Sequence, residues 1–468
     1  VEGEFFFERK KQETLATGAL RGAARPVHAP PALTLIAARP ALKRDALDGL
    51  LFEGVPLAAL AAAYGTPCWV YGAGTLRARA RRLQAAFPGV PIHYAVKAND
   101  HIAVLATLAP LGLGADVVSG GELRRALHAG IPPGRIVFSG VGKTGAELAL
   151  ALDQGIGQIN VESAEELAAL SAIAAARGAT ARIALRVNPD IDAGTHDKIS
   201  TGRAGDKFGI AHADAARLYA HAASLPGIAP LGLAVHIGSQ IVTAAPFAAA
   251  YGRMAALIGD LRQAGLPVTH MDCGGGLGVG YAGEPAPLPE AWAATIARAF
   301  GGMDLHLSVE PGRWIAAPAG ILLARVIRTR RAGMDRPVVI LDAAMNDLLR
   351  PALYGAWHGI VPVGARDLVA PPECVDIAGP VCESSDVLAR ARPLPPLADG
   401  ATVAILDAGA YGAVMSSTYN ARPLAAQCMV DAGRHALIRP RGEAESPWMN
   451  ELQPRFLQPP ALQPRFLP

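Results

Sequence analysis

Residues 92–99 read IHYAVKAN, a short and mostly apolar run that closes on Lys97 and Asn99. Seven runs of the same build follow: GADVVS (114–119), RIVFSG (135–140), QINVES (158–163), RIALRVNP (182–189), GLAVHIGS (232–239), HMDCGGG (270–276) and HLSVEPGR (306–313). Each has the length and apolar character of a parallel strand buried on both faces. The segments between them, such as GELRRALHAG and ESAEELAALSAIAAARG, carry helical spacing and end in glycine, a favoured helix stop. Eight strand–helix units over about 220 residues have the count and length of a (β/α)8 barrel. A doubly wound open sheet is the competing layout.

Working outward, the texture changes after about residue 318. ILLARVIRTRRAG, RPVVILDAAM, CVDIAGPVC and TVAILDAGAYG are strand-like runs separated by Pro, Gly and Asp. The predicted fold is therefore α/β: a TIM-like barrel over 71–318, then a mainly β, sandwich- or barrel-like domain over 319–448. The early stretch GTPCWVYG (65–72) is strand-like too, and residues 41–70 are expected to contribute to the β domain. Residues 1–40 lack a sustained period and are expected to be a poorly ordered extension. The last residues, 449–468, belong to a low-complexity tail in which LQPRFL occurs twice.

Composition narrows the function. A 468-residue chain with 51% apolar and 18% charged residues suits a two-domain soluble enzyme. Lys plus Arg (43) barely exceeds Asp plus Glu (40), which leaves no basic field for a nucleic-acid backbone. Five scattered cysteines without a CxxC pair argue against a disulfide framework and for a reducing cytoplasm. Twelve dispersed histidines without HExxH or zinc-like spacing make a metal site unexpected. The apolar run Phe5–Phe7 is too short for a signal core, and no later segment approaches a spanning helix, so neither export nor membrane association is expected.

In a barrel of this kind the reactive groups gather at the C-terminal ends of the strands. Lys97 ends the first strand among Ala95, Val96 and Ala98, and burial there is expected to lower its pKa and yield a nucleophilic amine for a Schiff base. Gly274, Gly275 and Gly276 offer a loop that can approach an anion closely. The EPGR run, Glu310 to Arg313, ends the eighth strand. Both motifs fall where barrels often bind phosphate.

From about Gly65 to Met429 the chain resembles the fold-type III decarboxylases that depend on pyridoxal 5'-phosphate (PLP), and within them the diaminopimelate decarboxylase family. The resemblance rests on ordered motifs: YAVKAN, INVESAEEL, LRVNPD, KFGI, HIGSQI, DCGGGLG, EPGRWI, MNDLLRPALYGAWH, CESSD and DAGAYGAVMSSTYNARP. It implies that Lys97 carries PLP and that His236 stacks on the cofactor ring. Ser239, Gly274, Gly275, Gly276, Gly312 and Tyr411 would bind the phosphate, with Asp116 and Arg186 supporting the cofactor and Asp272 a structural residue. Arg313 is counted with both the cofactor and the substrate contacts. Glu310 would face the pyridine nitrogen and keep it protonated, which deepens the electron sink.

The resemblance further implies a substrate with two amino-acid ends. Arg313 and Arg350 supply forks for a distal carboxylate, with Tyr354 and Tyr411 beside them, and Glu383 supplies a negative partner for the distal ammonium. Cys382 would return a proton to Cα after CO2 leaves. In this family the CESSD loop reaches a neighbouring subunit, which implies a homodimer with shared sites. Ala343 and Ala344 stand where the family often has glycines, a departure expected to be structural rather than catalytic. Ornithine, arginine and carboxynorspermidine decarboxylases, and a non-catalytic PLP-binding protein, are the rivals to be tested.

Overall fold

A computed structural model of the chain describes residues 29–199, 201–203, 205–286 and 288–454. Eight parallel strands form the expected barrel: His93–Ala95, Gly114–Val117, Ile136–Phe138, Gln158–Val161, Ala181–Asn188, Ile228–Ala234, His270–Asp272 and His306–Ser308. Each pairs with the next in chain order. The ring closes where Ile92 bridges Val309, with the His93 amide donating to the Val309 carbonyl at 2.8 Å and the Ala95 amide to the Pro311 carbonyl at 3.2 Å. Closure removes both sheet edges and rules out the open doubly wound alternative.

Three consecutive strand-to-helix turns carry the same start signal. Ser119, Thr144 and Ser163 cap the helices Gly120–His128, Gly145–Gln154 and Ala164–Ala176, and each side chain accepts the amide three residues on, from Glu122, Glu147 and Glu166. Those glutamates reach back to the amides of Val118 (2.8 Å), Thr144 (2.9 Å) and Glu162 (3.1 Å), and Glu147 also accepts from the Gly120 amide of the preceding helix (2.7 Å). This reciprocal capping stiffens the turns that present the strand ends. The buried positions of the third helix, Leu167, Leu170, Ser171 and Ala174, fall on one face, as a 3.6-residue period requires.

Strand packing leaves no room at Gly232. The sixth strand shifts register between Pro230 and Gly232, and a Cβ built on Gly232 would lie 1.8 Å from the His270 carbonyl oxygen. Gly232→Ala should therefore lose about 3 kcal/mol of stability through overpacking. Denaturant titration checks it: a lowered midpoint at unchanged slope is expected.

The second domain is a nine-stranded sheet around Gly320–Arg330. Cys68–Gly72 pairs antiparallel with Gly320–Leu323, and Ala426–Asp431 pairs parallel with Cys68–Gly72, so a segment that precedes the barrel lies inside the later sheet. The hairpin Leu42–Asp45/Gly49–Phe52 packs Leu50 and Phe52 with Leu57, Leu60, Val70, Leu323 and Leu406 in a separate apolar core.

Residues 29–40 correct the expectation of a poorly ordered extension. Ala32–Ala37 is a helix that buries Leu35 and Ile36, and Arg39 forms an ion pair with Asp407. The anchors lie far along the chain, so no local period announces them. The rest of that extension (1–28) and tail positions 455–468 lie outside the described residues. Among the described residues no helix is long and apolar enough to cross a membrane.

Candidate active site

The strand ends bring an acidic cluster together around one lysine. Lys97 lies in the 3-10 turn Val96–Ala98, just past the first strand, and Ala95 is in register with Asp116 on the second. Its ammonium donates to Asp116 Oδ2 at 2.5 Å; the aspartate is fully buried, while a third of the lysine side chain reaches solvent. The other Asp116 oxygen is buried without a partner. Asp272 accepts from the Gly274 amide (3.0 Å) and from Asn160 Nδ2 (3.1 Å), as a structural residue would. Glu310 is buried nearby, 3.5 Å from the same Asn160 nitrogen. Burial, then the charges of Asp116 and Asp272, push the Glu310 carboxyl well above the ordinary carboxylate range.

Lys97 itself departs from the sequence expectation. Burial does pull its pKa down, but Asp116, Tyr411 and Glu310 pull harder in the other direction, and the net shift is up. The apolar neighbours in the chain were the wrong guide, because the side chain crosses to the carboxylate of the next strand. The ion pair with Asp116 therefore favours the protonated amine in the cofactor-free chain.

His236 follows the sixth strand. Its Nδ1 accepts from the Gly275 amide at 3.2 Å, which places the ring proton on Nε2. Burial, then the charges of Arg186 and Lys97, hold it well below its usual pKa, so the ring is neutral. Arg186 donates to Glu162 Oε1 at 2.8 Å and lies over the Phe208 ring, so its charge is already spent within the protein. The glycine loop is crowded from behind. A Cβ on Gly274 would meet the Val235 oxygen at 2.1 Å, and one on Gly275 the Glu310 oxygen at 2.1 Å. Only glycine lets this loop lie so close to the strands around it.

A second cluster is cationic. Arg313 is buried, donates to Ser239 Oγ (3.0 Å) and to the Tyr281 hydroxyl oxygen (2.9 Å), and lies over the Tyr411 ring at 4.6 Å. Arg350 is buried over the Tyr281 ring at 4.9 Å and donates to His358 Nε2 at 2.8 Å. Neither guanidinium has an acidic partner among the described residues, and each keeps a buried Nε with no acceptor. Buried charge without a counter-ion is costly, so this pair is arranged for an anion that arrives from outside. Tyr354 is half-buried, edge-on to His196 at 5.9 Å. Tyr411 is held at φ +55° with its amide donating to the Ala98 carbonyl (2.8 Å), a left-handed conformation that ties this β-domain loop to the lysine turn.

The matches to known proteins agree with this arrangement. Residues 73–317 match the family model described as "Pyridoxal-dependent decarboxylase, pyridoxal binding domain". A diaminopimelate decarboxylase of Zymomonas mobilis is 48% identical over 415 residues, covering 87% of this chain and 98% of its own. One from Vibrio cholerae is 47% identical, covering 86% and 97%. This chain belongs to the diaminopimelate decarboxylase family. Among solved structures, the Helicobacter pylori diaminopimelate decarboxylase complexed with L-lysine superposes at TM-score 0.80 with 38% identity, over 84% of this chain and 98% of that one. The M. jannaschii diaminopimelate decarboxylase co-complexed with L-lysine gives 0.85 with 32% identity, over 90% and 100%.

This decarboxylase is thus a PLP-dependent carboxy-lyase, and its residues fit that cofactor. The acid cluster around a single lysine leaves negative charge to spare for a protonated ring nitrogen, and Asp116 keeps one oxygen free. The Gly276 and Gly312 amides donate to no other group among the described residues, which leaves them for a phosphate.

Cys382 and Glu383 are not part of either cluster. Both are exposed on a β-domain loop, where the Cys382 amide donates to Asn420 Oδ1 (2.8 Å) and Glu383 accepts from the Ser385 hydroxyl. Conversely, the structure adds Asn160, Tyr281 and His358 to the predicted residues. Asn160 and His358 lie inside the motifs INVES and GAWH, but no chemistry in those motifs singles them out. Tyr281 follows the glycine loop in GYAGEP and carries no motif signal.

Proposed function

We propose that this enzyme removes CO2 from the D-centre of meso-2,6-diaminopimelate and releases L-lysine, the last step of lysine biosynthesis. The observation that carries this substrate is the buried Arg313/Arg350 pair without a counter-ion. A substrate lacking a distal carboxylate would leave both charges uncompensated, whereas one amino-acid end of diaminopimelate matches their forks. An assay for lysine from meso-diaminopimelate with and without PLP tests the reading. Turnover of ornithine, arginine or carboxynorspermidine with no lysine formed would remove it.

PLP, when bound, supplies the electron sink for the pair of electrons that CO2 leaves behind. In the proposed division of labour Lys97 anchors the cofactor, Asp116 and Arg186 support it, and His236 packs against its ring. Glu310 holds a proton at the ring nitrogen. Ser239, Gly276, Gly312 and Tyr411 would donate to its phosphate, while Gly274 and Gly275, whose amides already bond Asp272 and His236, would shape the loop against it, with Arg313 linking this cradle to the substrate. Arg313, Arg350, Tyr354 and Tyr411 orient the substrate, and closing the site to water strengthens each of these contacts.

The exposed CESSD loop supports a homodimer in which Cys382 and Glu383 of each copy enter the other's site. There Glu383 would pair with the distal ammonium and Cys382 would return a proton to Cα. Five free cysteines support residence in the cytoplasm. The proposed domain limits are 71–318 for the cofactor-binding barrel and 319–448, joined by 41–70, for the β domain. Glu383→Ala should raise KM for meso-diaminopimelate about thirtyfold, the loss of one charged hydrogen-bonded pair. An unchanged KM would move Glu383 out of the site.

A further inference from the structure

We propose that Tyr281 is a positioning residue that sets both substrate-binding guanidiniums and so determines selectivity for a second carboxylate. The inference rests on assigning Arg313 and Arg350 to the substrate's distal end. Two buried cations side by side repel one another; burial first, and the Arg313 charge among the other causes, pull the Arg350 pKa down. Tyr281 touches both. Its hydroxyl oxygen accepts from Arg313 Nη1 at 2.9 Å, and its ring face lies beneath the Arg350 guanidinium at 4.9 Å. A lone pair and a π-face from one side chain thus offset the repulsion and fix the spacing of the two forks.

Tyr281 is itself clamped on three sides. Its amide donates to Glu284 Oε1 at 3.0 Å, and its carbonyl accepts from Arg39 Nη2 at 2.8 Å. Arg39 is anchored in turn by Asp407, to which its Nε donates at 2.8 Å. The His358 ring stands edge-on to the tyrosine at 5.2 Å, while its Nε2 accepts from Arg350. A side chain held at its amide, carbonyl and ring can hold two arginines in fixed geometry without meeting the reacting carbon. Its contribution belongs to recognition of the distal end.

The test uses purified holoenzyme with Tyr281→Phe, which removes only the hydroxyl, and Tyr281→Leu, which removes the ring as well. KM and kcat for meso-diaminopimelate are measured, together with inhibition by L-lysine and by cadaverine, the same skeleton without a carboxylate. Tyr281→Phe should raise KM about tenfold with kcat within about twofold, the cost of one hydrogen bond to a charged group. Lysine inhibition should weaken in parallel, while cadaverine inhibition and the visible absorbance of bound PLP stay unchanged. Tyr281→Leu should exceed these effects, and if it fails to fold the phenylalanine variant decides alone. Unchanged KM and lysine inhibition in Tyr281→Phe, or equal losses for lysine and cadaverine, would overturn the proposal. Wild-type enzyme that forms no lysine would instead overturn the substrate assignment beneath it, so the two failures are separable.

Discussion

Purified Lys97→Ala enzyme is expected to lack the visible absorbance of a protein-bound Schiff base and to lose activity by about ten-thousand-fold or more. The lysine does two things that alanine cannot. In its proposed role it tethers the cofactor, and its ammonium donates a hydrogen bond to Asp116 Oδ2 at 2.5 Å. Without it, the buried Glu310 carboxyl loses the positive charge that opposes its upward shift. Reduction with borohydride followed by peptide mass spectrometry locates the attachment independently: the wild-type peptide containing Lys97 should gain the mass of the reduced cofactor. Absorbance that persists in the variant, or label on another lysine, would refute the assignment.

Glu310→Gln is expected to keep the absorbance and the KM but to lower kcat about a thousandfold, the scale for removing one group aimed at developing charge. Burial and the neighbouring acids drive the Glu310 carboxyl well above the ordinary carboxylate range, so the cofactor-free chain favours its protonated form. A cationic ring nitrogen beside it would reverse that balance and favour the carboxylate, which in turn keeps the nitrogen protonated. Glutamine matches the shape and hydrogen-bonding reach but carries no negative charge, so the effect isolates electrostatics from packing. A kcat within about threefold of wild type would mean that the nitrogen faces another group. The two variants separate tethering from activation: the first loses the cofactor bond, the second retains it and loses rate.

Much of the barrel was legible before any coordinates. Eight apolar runs, from His93–Ala95 to His306–Ser308, appear as strands in the predicted order, and the helical stretches GELRRALHAG and ESAEELAALSAIAAARG appear as the helices Gly120–His128 and Ala164–Ala176, which the structure shows opening on serine caps. These signals are local, since a cap acts over three or four residues and a strand's burial shows in its own composition. Lys97, Glu310 and the glycine loop stood out because their positions at strand ends gave them a shared place in space. The Ala32–Ala37 helix, by contrast, was missed, and Tyr281 carried no motif at all.

The amino-acid sequence by itself determined the order of the elements, the closed alternation of strand and helix, and which reactive side chains the strand ends would present. Only the tertiary structure decided the charge state of Lys97, the company of the two arginines, and the pairing of Arg39 with Asp407 across 368 positions of chain. The reason is physical. Hydrogen-bonded periodicity is a property of neighbours along the backbone, whereas ionisation follows Coulomb interactions and burial, which depend on distance through space.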